Sequence, residues 1–369
     1  MVDLKKLYEE NIPGVAEMVQ DFPVRALQLY GPNETNIDSF EEFIEDIVAP
    51  LGITHLSIML YYHFDYPSHP EIVEAPFTSV PVAKRVAAVC KKHGITVIPE
   101  IDIPSHQSQI KKGDVAPAPM GIVRAYPDME EPYSMNTSTR SVCTAHPDLV
   151  PIVCDMIDDL MDAFETKTIH VGFDEVQNIA KCPRCKDTPA YKLIADLANK
   201  INDYIKGKGG EMWMWGDRLL DGKLFPCKDI MYETSIHGTA PAIDLVSKDI
   251  VICDWHYNYE PMGHTTPGYY EMKGFRHLSC CFNSIMGTEQ FAHATHVLKE
   301  SPRTLGMYLT SWANLDDFMR LVREKIDGYR KTGELKQNAP ETADINNAGN
   351  FADLSSNIFL YMFVKPENK

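Results

Sequence analysis

Pro147–Glu175, PDLVPIVCDMIDDLMDAFETKTIHVGFDE, carries two periodicities in succession. Leu149, Ile152, Val153, Met156, Ile157, Leu160, Met161 and Phe164 recur at i, i+3, i+4 and i+7, behind Pro147 at a first-turn position. That spacing puts them on one face of an amphipathic helix. Thr168–Phe173 then reads as a short apolar strand, and it runs into the adjacent acids Asp174 and Glu175.

The same alternation extends in both directions. Upstream, Val24–Leu29, Leu56–Tyr61 and Thr96–Ile101 read as strands, separated by helical patterns over Phe40–Leu51 and Val80–Lys92, the latter closed by Gly94. Downstream, Leu193, Ile194, Leu197, Ile201 and Ile205 share a helix face, and Glu211–Trp215, Ile250–Trp255, Leu278–Phe282 and Gly306–Trp312 supply further strands. Phe291–Leu298 and Leu315–Tyr329 are helical candidates, whereas Leu219–Lys248 is too irregular to assign. Strands alternating with helices in this number predict an α/β fold, a (β/α)8 TIM barrel formed by one domain. We place the barrel at 24–332, with a lead-in over 1–23 and a tail over 333–369. The tail is Asn-rich from Lys336, and its apolar run Ile358–Val364 is expected to pack back on the barrel as a cap.

Lys and Arg number 35 against 52 Asp and Glu, a formal charge of −17. Such a surface repels phosphate backbones and anionic lipid, which argues against nucleic-acid and membrane partners and for a small neutral or cationic substrate. No apolar run reaches the length of a membrane span. Met1–Asn11 is polar and lacks the apolar stretch of a secretion signal. The nine cysteines are an odd count, and Cys90, Cys154, Cys253, Cys280 and Cys281 lie within apolar runs. Reduced cysteines and a cytoplasmic location are therefore expected.

Barrels of this class do chemistry at the C-terminal ends of their strands. Asp102 and His106 follow the third strand, and Asp174 and Glu175 end the fourth. Trp213, Trp215 and Asp217 lie at the fifth, Trp255 and Tyr257 at the sixth, and Trp312 at the eighth. All four tryptophans thus fall at strand ends, which suggests an aromatic cage for a flat, partly apolar ligand such as a sugar ring. Two adjacent carboxylates in such a pocket repel each other, so one stays protonated near neutrality, as a general acid requires. Taken alone, an Asp-Glu pair also reads as a solvated acidic loop; the tryptophans tip the reading toward chemistry.

Cys182-Pro-Arg-Cys185 is half of a zinc site, and Cys143-x-x-His146 lies upstream. In a barrel both segments emerge at one face, so Cys143, His146, Cys182 and Cys185 form a candidate structural zinc site joining two loops. The alternatives are a plain loop, or a water or distant carboxylate in place of His146. The histidines show neither a His-x-His nor a His-Glu-x-x-His pattern, which weakens a metallohydrolase reading.

His170-x-Gly172-x-Asp174-Glu175 and Glu100-x-Asp102-x-Pro104-Ser105-His106 together resemble the two motifs of the family 20 glycoside hydrolases, the β-N-acetylhexosaminidases, with Ser105 in place of the usual glycine. Trp215, Tyr257 and Trp312 resemble the aromatic residues that the family carries after the fifth, sixth and eighth strands. The resemblance runs from Val24 to Tyr329. It is greatest to the subgroup similar to hexosaminidase D, which lacks a small N-terminal α/β domain and has a stretch like Met214–Leu219, MWGDRL. What it implies is exo-acting, retaining hydrolysis of terminal β-linked GlcNAc or GalNAc, in which the sugar's 2-acetamido group is the nucleophile and no cofactor is required. Glu175 would be the acid and base, Asp174 would hold the acetamido N–H, and Tyr257 would bond its oxygen. Trp215, Trp255 and Trp312 would wall the ring, with Asp102, His106, His170, Trp213 and Asp217 completing the substrate site.

Three positions depart from the family pattern. Arg25 is the candidate for the arginine that binds the 3- and 4-hydroxyls, or else pairs with a carboxylate at the barrel's bottom. Tyr61 and Tyr62 stand where an acidic pair is common, which bears on any Asp–His dyad tuning Glu175 through His106. Asn314 replaces a glutamate beyond Trp312. The partner implied is a small carbohydrate or glycan terminus; assembly is open, a homo-oligomer included. Two alternatives stand beside this reading: a carbohydrate-binding pseudoenzyme on the same barrel, and a hydrolase like the family 123 β-N-acetylgalactosaminidases.

Overall fold

The computed structural model describes residues 14–109, 116–134, 137, 139–332 and 351–365. Strands β1 (Val24–Tyr30), β2 (His55–Met59), β3 (Thr96–Glu100), β4 (Thr168–His170), β5 (Glu211–Trp215), β6 (Val251–Trp255), β7 (Arg276–Cys281) and β8 (Thr304–Leu309) close into a barrel. Each pairs in parallel with its sequence neighbours, and β8 returns to β1 with Val24 opposite Gly306. Gly306 has a positive φ of 143°, and a Cβ there would overlap the Val24 carbonyl, so glycine permits this closure.

Helices α1 (Val15–Gln20), α2 (Ile37–Phe43), α3 (Val80–Lys92), α4 (Leu149–Phe164), α5 (Ala190–Gly207), α6 (Thr266–Met272), α7 (Ile285–His296), α8 (Leu315–Thr332) and α9 (Phe351–Phe363) accompany the strands. In α4 the whole stripe read from the sequence is buried. Full burial of such side chains stabilises by about 1.5–3 kcal/mol each, so the stripe holds α4 to the barrel more than any helix propensity does. α7 starts earlier than its apolar pattern suggests, because Ser284 caps it by accepting the Gly287 N–H at 3.0 Å. Between β5 and β6, Gly222, Pro226, Gly238 and Pro241 leave only short turns at Asp217–Leu219, Ile230–Glu233 and Ala240–Asp244.

Alternation along the strands splits the core in two. Val24, Ala26, Ile98, Trp213, Trp215, Val251, Cys253, Leu278 and Tyr308 fill the barrel, while Leu27, Leu29, Leu56, Ile58, Met212, Met214 and Ile252 pack outward against helices. The run Ile358–Val364 lies largely in α9, which packs on α8, α1, α7 and β8 along the barrel's flank. Phe359 meets Phe43, Phe318 and Phe363 in tilted and edge-on contacts, and Lys325 Nζ reaches Asp353 Oδ1 and Asn357 Oδ1 at 2.7 Å. The tail from 333 to 350, with the Asn-rich segment, and residues 1–13 of the lead-in lie outside the described residues. Among the described residues no helix is long and apolar enough to cross a membrane.

Candidate active site

A cavity of about 300 Å³ opens at the C-terminal ends of the strands, lined by Tyr30, His106, Asp174, Glu175, Trp215, Trp255, Tyr257, Phe282, Trp312 and Phe351. That is the low end for ligand pockets, the scale of one sugar unit. Most of the lining continues the inward series of each strand: Tyr30 follows Ala26 and Gln28, Trp215 follows Trp213, Tyr257 follows Trp255, and Phe282 follows Leu278 and Cys280. Glu175 is out of phase with Asp174. Left-handed backbone at Gly172 (φ 84°), Phe173 (φ 79°) and Glu175 (φ 50°) turns it onto the same wall. His106 (φ 52°) and Trp312 (φ 45°) share that conformation, which side chains adopt at a cost and which gathers at functional sites. Gly172 itself leaves no room for a Cβ, because Asp102 packs against it.

His106 is the hub of the charges. Its Nε2 lies 3.3 Å from Asp174 Oδ2, 3.7 Å from Asp102 Oδ2 and 3.8 Å from Glu175 Oε2. Burial works against the imidazolium, but Asp102 and Asp174 outweigh it and keep the ring charged to well above its ordinary range. Burial also works against the Asp174 carboxylate, yet contact with His106 holds its pKa below the usual aspartate value. Burial pushes Glu175 up to about 7, with Asp174 and Asp217 adding to the rise and His106 restraining it. Burial, then the Asp174 charge, raises Asp102 well above the carboxylate range. The arrangement favours one ion pair, His106 with Asp174, flanked by protonated Asp102 and Glu175.

Neighbouring loops hold these groups in place. Asp217 Oδ2 accepts the Glu175 N–H at 3.0 Å and Oδ1 accepts the Trp255 indole at 3.1 Å, while Arg218 neutralises it. Ser105 donates to the Asp174 carbonyl. Among the described residues, buried Asp174 Oδ1 has no hydrogen-bond partner, which leaves it as an acceptor for a ligand N–H. Tyr257 Oη accepts the Trp312 indole N–H at 2.8 Å, which leaves its own proton for an acceptor in the cavity. Trp215 faces Trp312 at 6.1 Å, and Trp255, Tyr257, Phe282 and Phe351 continue the aromatic wall at spacings of 5.0–5.3 Å.

The family model described as "Glycosyl hydrolase family 20, catalytic domain" matches residues 66–314, about two thirds of the chain, with both acidic motifs and all four tryptophans inside the match. The chain belongs to glycosyl hydrolase family 20. A β-hexosaminidase of Akkermansia muciniphila is 31% identical over 124 residues, which are 33% of this chain and 24% of that protein. The chain thus matches about a quarter of that relative's length. Among solved structures, a β-N-acetylhexosaminidase from Bacteroides fragilis has a TM-score of 0.55 at 18% identity, covering 79% of this chain and 61% of that one. A chitobiase from Flavobacterium johnsoniae has a TM-score of 0.58 at 14% identity, covering 92% and 52%. At those identities the likeness is one of fold.

Within this family 20 barrel, four expected substrate residues lie elsewhere. Arg25 sits at the N-terminal end of β1 on the outward parity, where its guanidinium donates to the carbonyls of Gly52 and Phe22 at 2.6 Å. It is therefore at the barrel's bottom, though bonded to backbone and not to a carboxylate. Trp213 lies one inward step below Trp215, stacked on His55 at 5.7 Å with its indole N–H on Glu211 Oε1, so three tryptophans line the cavity and the fourth is core. His170 is fully buried against Trp215 at 4.4 Å, accepts the Gly172 N–H, and is kept neutral by burial, its pKa pushed down to about 3. Asn314 is exposed and caps α8 by accepting the Asp317 N–H. Asp102 and Asp217 back the site without lining it.

Tyr30, Phe282 and Phe351 line the cavity without having been singled out from the sequence. Tyr30 and Phe282 could have been found by following strand parity to its last residue. Phe351 comes from beyond the barrel and had no such signal. Where Tyr61 and Tyr62 replace an acidic pair after β2, His106 takes its ion-pair partner from Asp174 after β4, with Asp102 3.7 Å away. At the cysteine knuckle, His146 is turned away: Nε2 meets Asp128 at 3.2 Å and Nδ1 accepts the Asp148 N–H. The group that joins Cys143, Cys182 and Cys185 is Glu131.

Proposed function

We propose that this protein is an exo-β-N-acetylhexosaminidase, removing terminal β-linked GlcNAc or GalNAc with retention through the substrate's own 2-acetamido group. The observation that carries the reading is the charge split between Asp174 and Glu175, one held ionised by His106 and the other pushed up to about 7, facing an aromatic wall. In the first step the acetamido oxygen attacks the anomeric carbon while Glu175 protonates the departing glycosidic oxygen. Asp174 Oδ1 accepts the acetamido N–H and offsets the positive charge of the oxazolinium. Tyr257 donates to the acetamido oxygen and orients it. In the second step Glu175, now a carboxylate, takes a proton from the water that opens the ring at the anomeric carbon. The aromatic walls exclude other water and pack the methyl group and sugar face.

This chemistry needs an acid, an anion and the substrate's amide, and no cofactor. We assign the cysteine knuckle a structural role only. The free cysteines and the acidic surface support a cytoplasmic location and a soluble glycan terminus as substrate. The test is turnover of aryl β-N-acetylglucosaminide and β-N-acetylgalactosaminide. Release of the aryl group with retained anomer, and inhibition by a thiazoline mimic of the oxazolinium, is the expected result. Cleavage of an N-acetyl-free β-glycoside with neither amino sugar turned over would overturn it, and so would tight amino-sugar binding without hydrolysis.

A further inference from the structure

Away from the cavity, a second buried cluster joins the two loops that carry the catalytic groups. Cys143 Sγ lies 3.2 Å from Cys182 Sγ, which lies 3.2 Å from Cys185 Sγ, which in turn is 2.7 Å from Glu131 Oε1. All four residues are buried, and their ligand atoms lie within 4.8 Å of one another. Glu131 and Cys143 belong to the β3–α4 connection, Cys182 and Cys185 to the β4–α5 connection. Cys182–Cys185 forms one tight turn, closed by Cys185 N and Lys186 N on the Cys182 carbonyl at 3.1 and 3.0 Å, so both sulfurs present to one side. Glu131 Oε2 is held by the backbone N–H groups of Lys181 and Cys182 at 3.0 and 2.8 Å, which leaves Oε1 for the centre.

We propose that Glu131, Cys143, Cys182 and Cys185 bind one zinc ion. Three soft sulfurs and one carboxylate oxygen match tetrahedral zinc. Hard cations such as calcium take oxygen ligands, and an iron–sulfur cluster would want a fourth thiolate. With Zn–S bonds of about 2.3 Å the sulfurs would open to about 3.8 Å apart, a small adjustment for side chains already in contact. The backbone N–H groups of Lys181 and Cys182 already fix Oε2, so the ion would take Oε1 where the Cys185 thiol now donates. The loops are also joined by Asn178, whose Nδ2 donates to the Thr139 carbonyl at 3.0 Å. The metal would therefore pin the segment that leads directly out of Asp174 and Glu175, without touching substrate. The competing arrangement is a chain of S–H hydrogen bonds ending on Glu131.

The full-length protein, purified without chelator, should carry about one zinc per chain by elemental analysis. Stripping with a strong chelator should lower the melting temperature by about 5–10 °C, and added zinc should restore it. Cobalt replacement should give the intense visible bands of a tetrahedral site and a near-ultraviolet sulfur-to-cobalt band. Cys182→Ser should lose both. Because loss of a buried thiol can also disturb folding directly, Glu131 supplies the second arm. Glu131→Gln should release zinc to a chelator at least about tenfold faster than wild type, and Glu131→His, which restores a nitrogen ligand, should slow it again. Folded wild-type protein that is metal-free, reacts at all three thiols and gains no thermal stability from zinc would overturn the proposal, whether or not the glycosidase reading stands.

Discussion

Glu175 and Asp174 are adjacent in sequence but differ in protonation, and the imidazole of His106, closer to Asp174, makes the difference. If Glu175 protonates the leaving oxygen, Glu175→Gln should cut kcat by about 10²–10⁴ on a poor leaving group and much less on an activated aryl glycoside. Asp174→Asn should slow both, because it acts on the acetamide and not on the leaving group. Equal sensitivity of the two variants to leaving-group acidity, measured over an aryl glycoside series, would refute the roles. The pH profile follows from the same shifts. The active form has Glu175 protonated and Asp174 ionised, so kcat/KM should fall as pH rises through about 7 and hold on the acid side down to below the usual carboxylate range. The charge on His106 favours the ionised form of both carboxyls and so lowers their pKa, so His106→Gln should move both limbs to higher pH; limbs that stay put would show that His106 only fills space. The adjacent acids were legible because mutual repulsion is a property of two neighbouring letters. Their division of labour was not, since it depends on where His106 lands. Arg25 misled because its identity fitted a sugar clamp while its parity and its end of β1 did not.

Loops and helices set how firmly those residues are held. Asp217 serves the Glu175 N–H, the Trp255 indole and the fully buried Arg218 at once. Asp217→Ala should cost about 3 kcal/mol of stability by urea unfolding, because the guanidinium keeps its carbonyl partners but loses its counter-charge, and it should lower kcat as well. On α9 two phenylalanines should part company. Phe359 is wholly buried among aromatic rings, so Phe359→Ala should destabilise by about 3–5 kcal/mol with kcat/KM intact below the melting transition. Phe351 lines the cavity, so Phe351→Ala should raise KM roughly fivefold, the loss of about 1 kcal/mol of contact, with kcat little changed. Reversal of that pattern would remove α9 from the site. The barrel strands and α4 were readable because burial writes a period into the sequence. The β5–β6 connection was not, since glycine and proline set its course and leave no period, and α7 was misplaced because a cap and not an apolar stripe begins it.

At the scale of the molecule, charge selects among substrates that the cavity alone would accept. The chain carries a formal −17, and His106 is the one cationic side chain among the described residues lining the cavity. A neutral amino sugar feels little of this field, whereas a sulfated one approaches against it and meets no arginine or lysine on arrival. Part of that repulsion acts through solvent and is screened, the Debye length shrinking from about 30 Å at 0.01 M to about 8 Å at 0.15 M ionic strength. For an aryl 6-sulfo-β-N-acetylglucosaminide, kcat/KM should therefore rise several-fold over that range of sodium chloride, as an electrostatic penalty on association is relieved. The unsulfated aryl glycoside should stay flat in the same series, which separates screening from a general effect of salt on the enzyme. The shorter-range repulsion from Asp174 lies within the cavity and is screened less, so the sulfated substrate should remain the poorer one even at high salt. Parallel salt responses for the two substrates would mean that the surface charge plays no part in substrate choice.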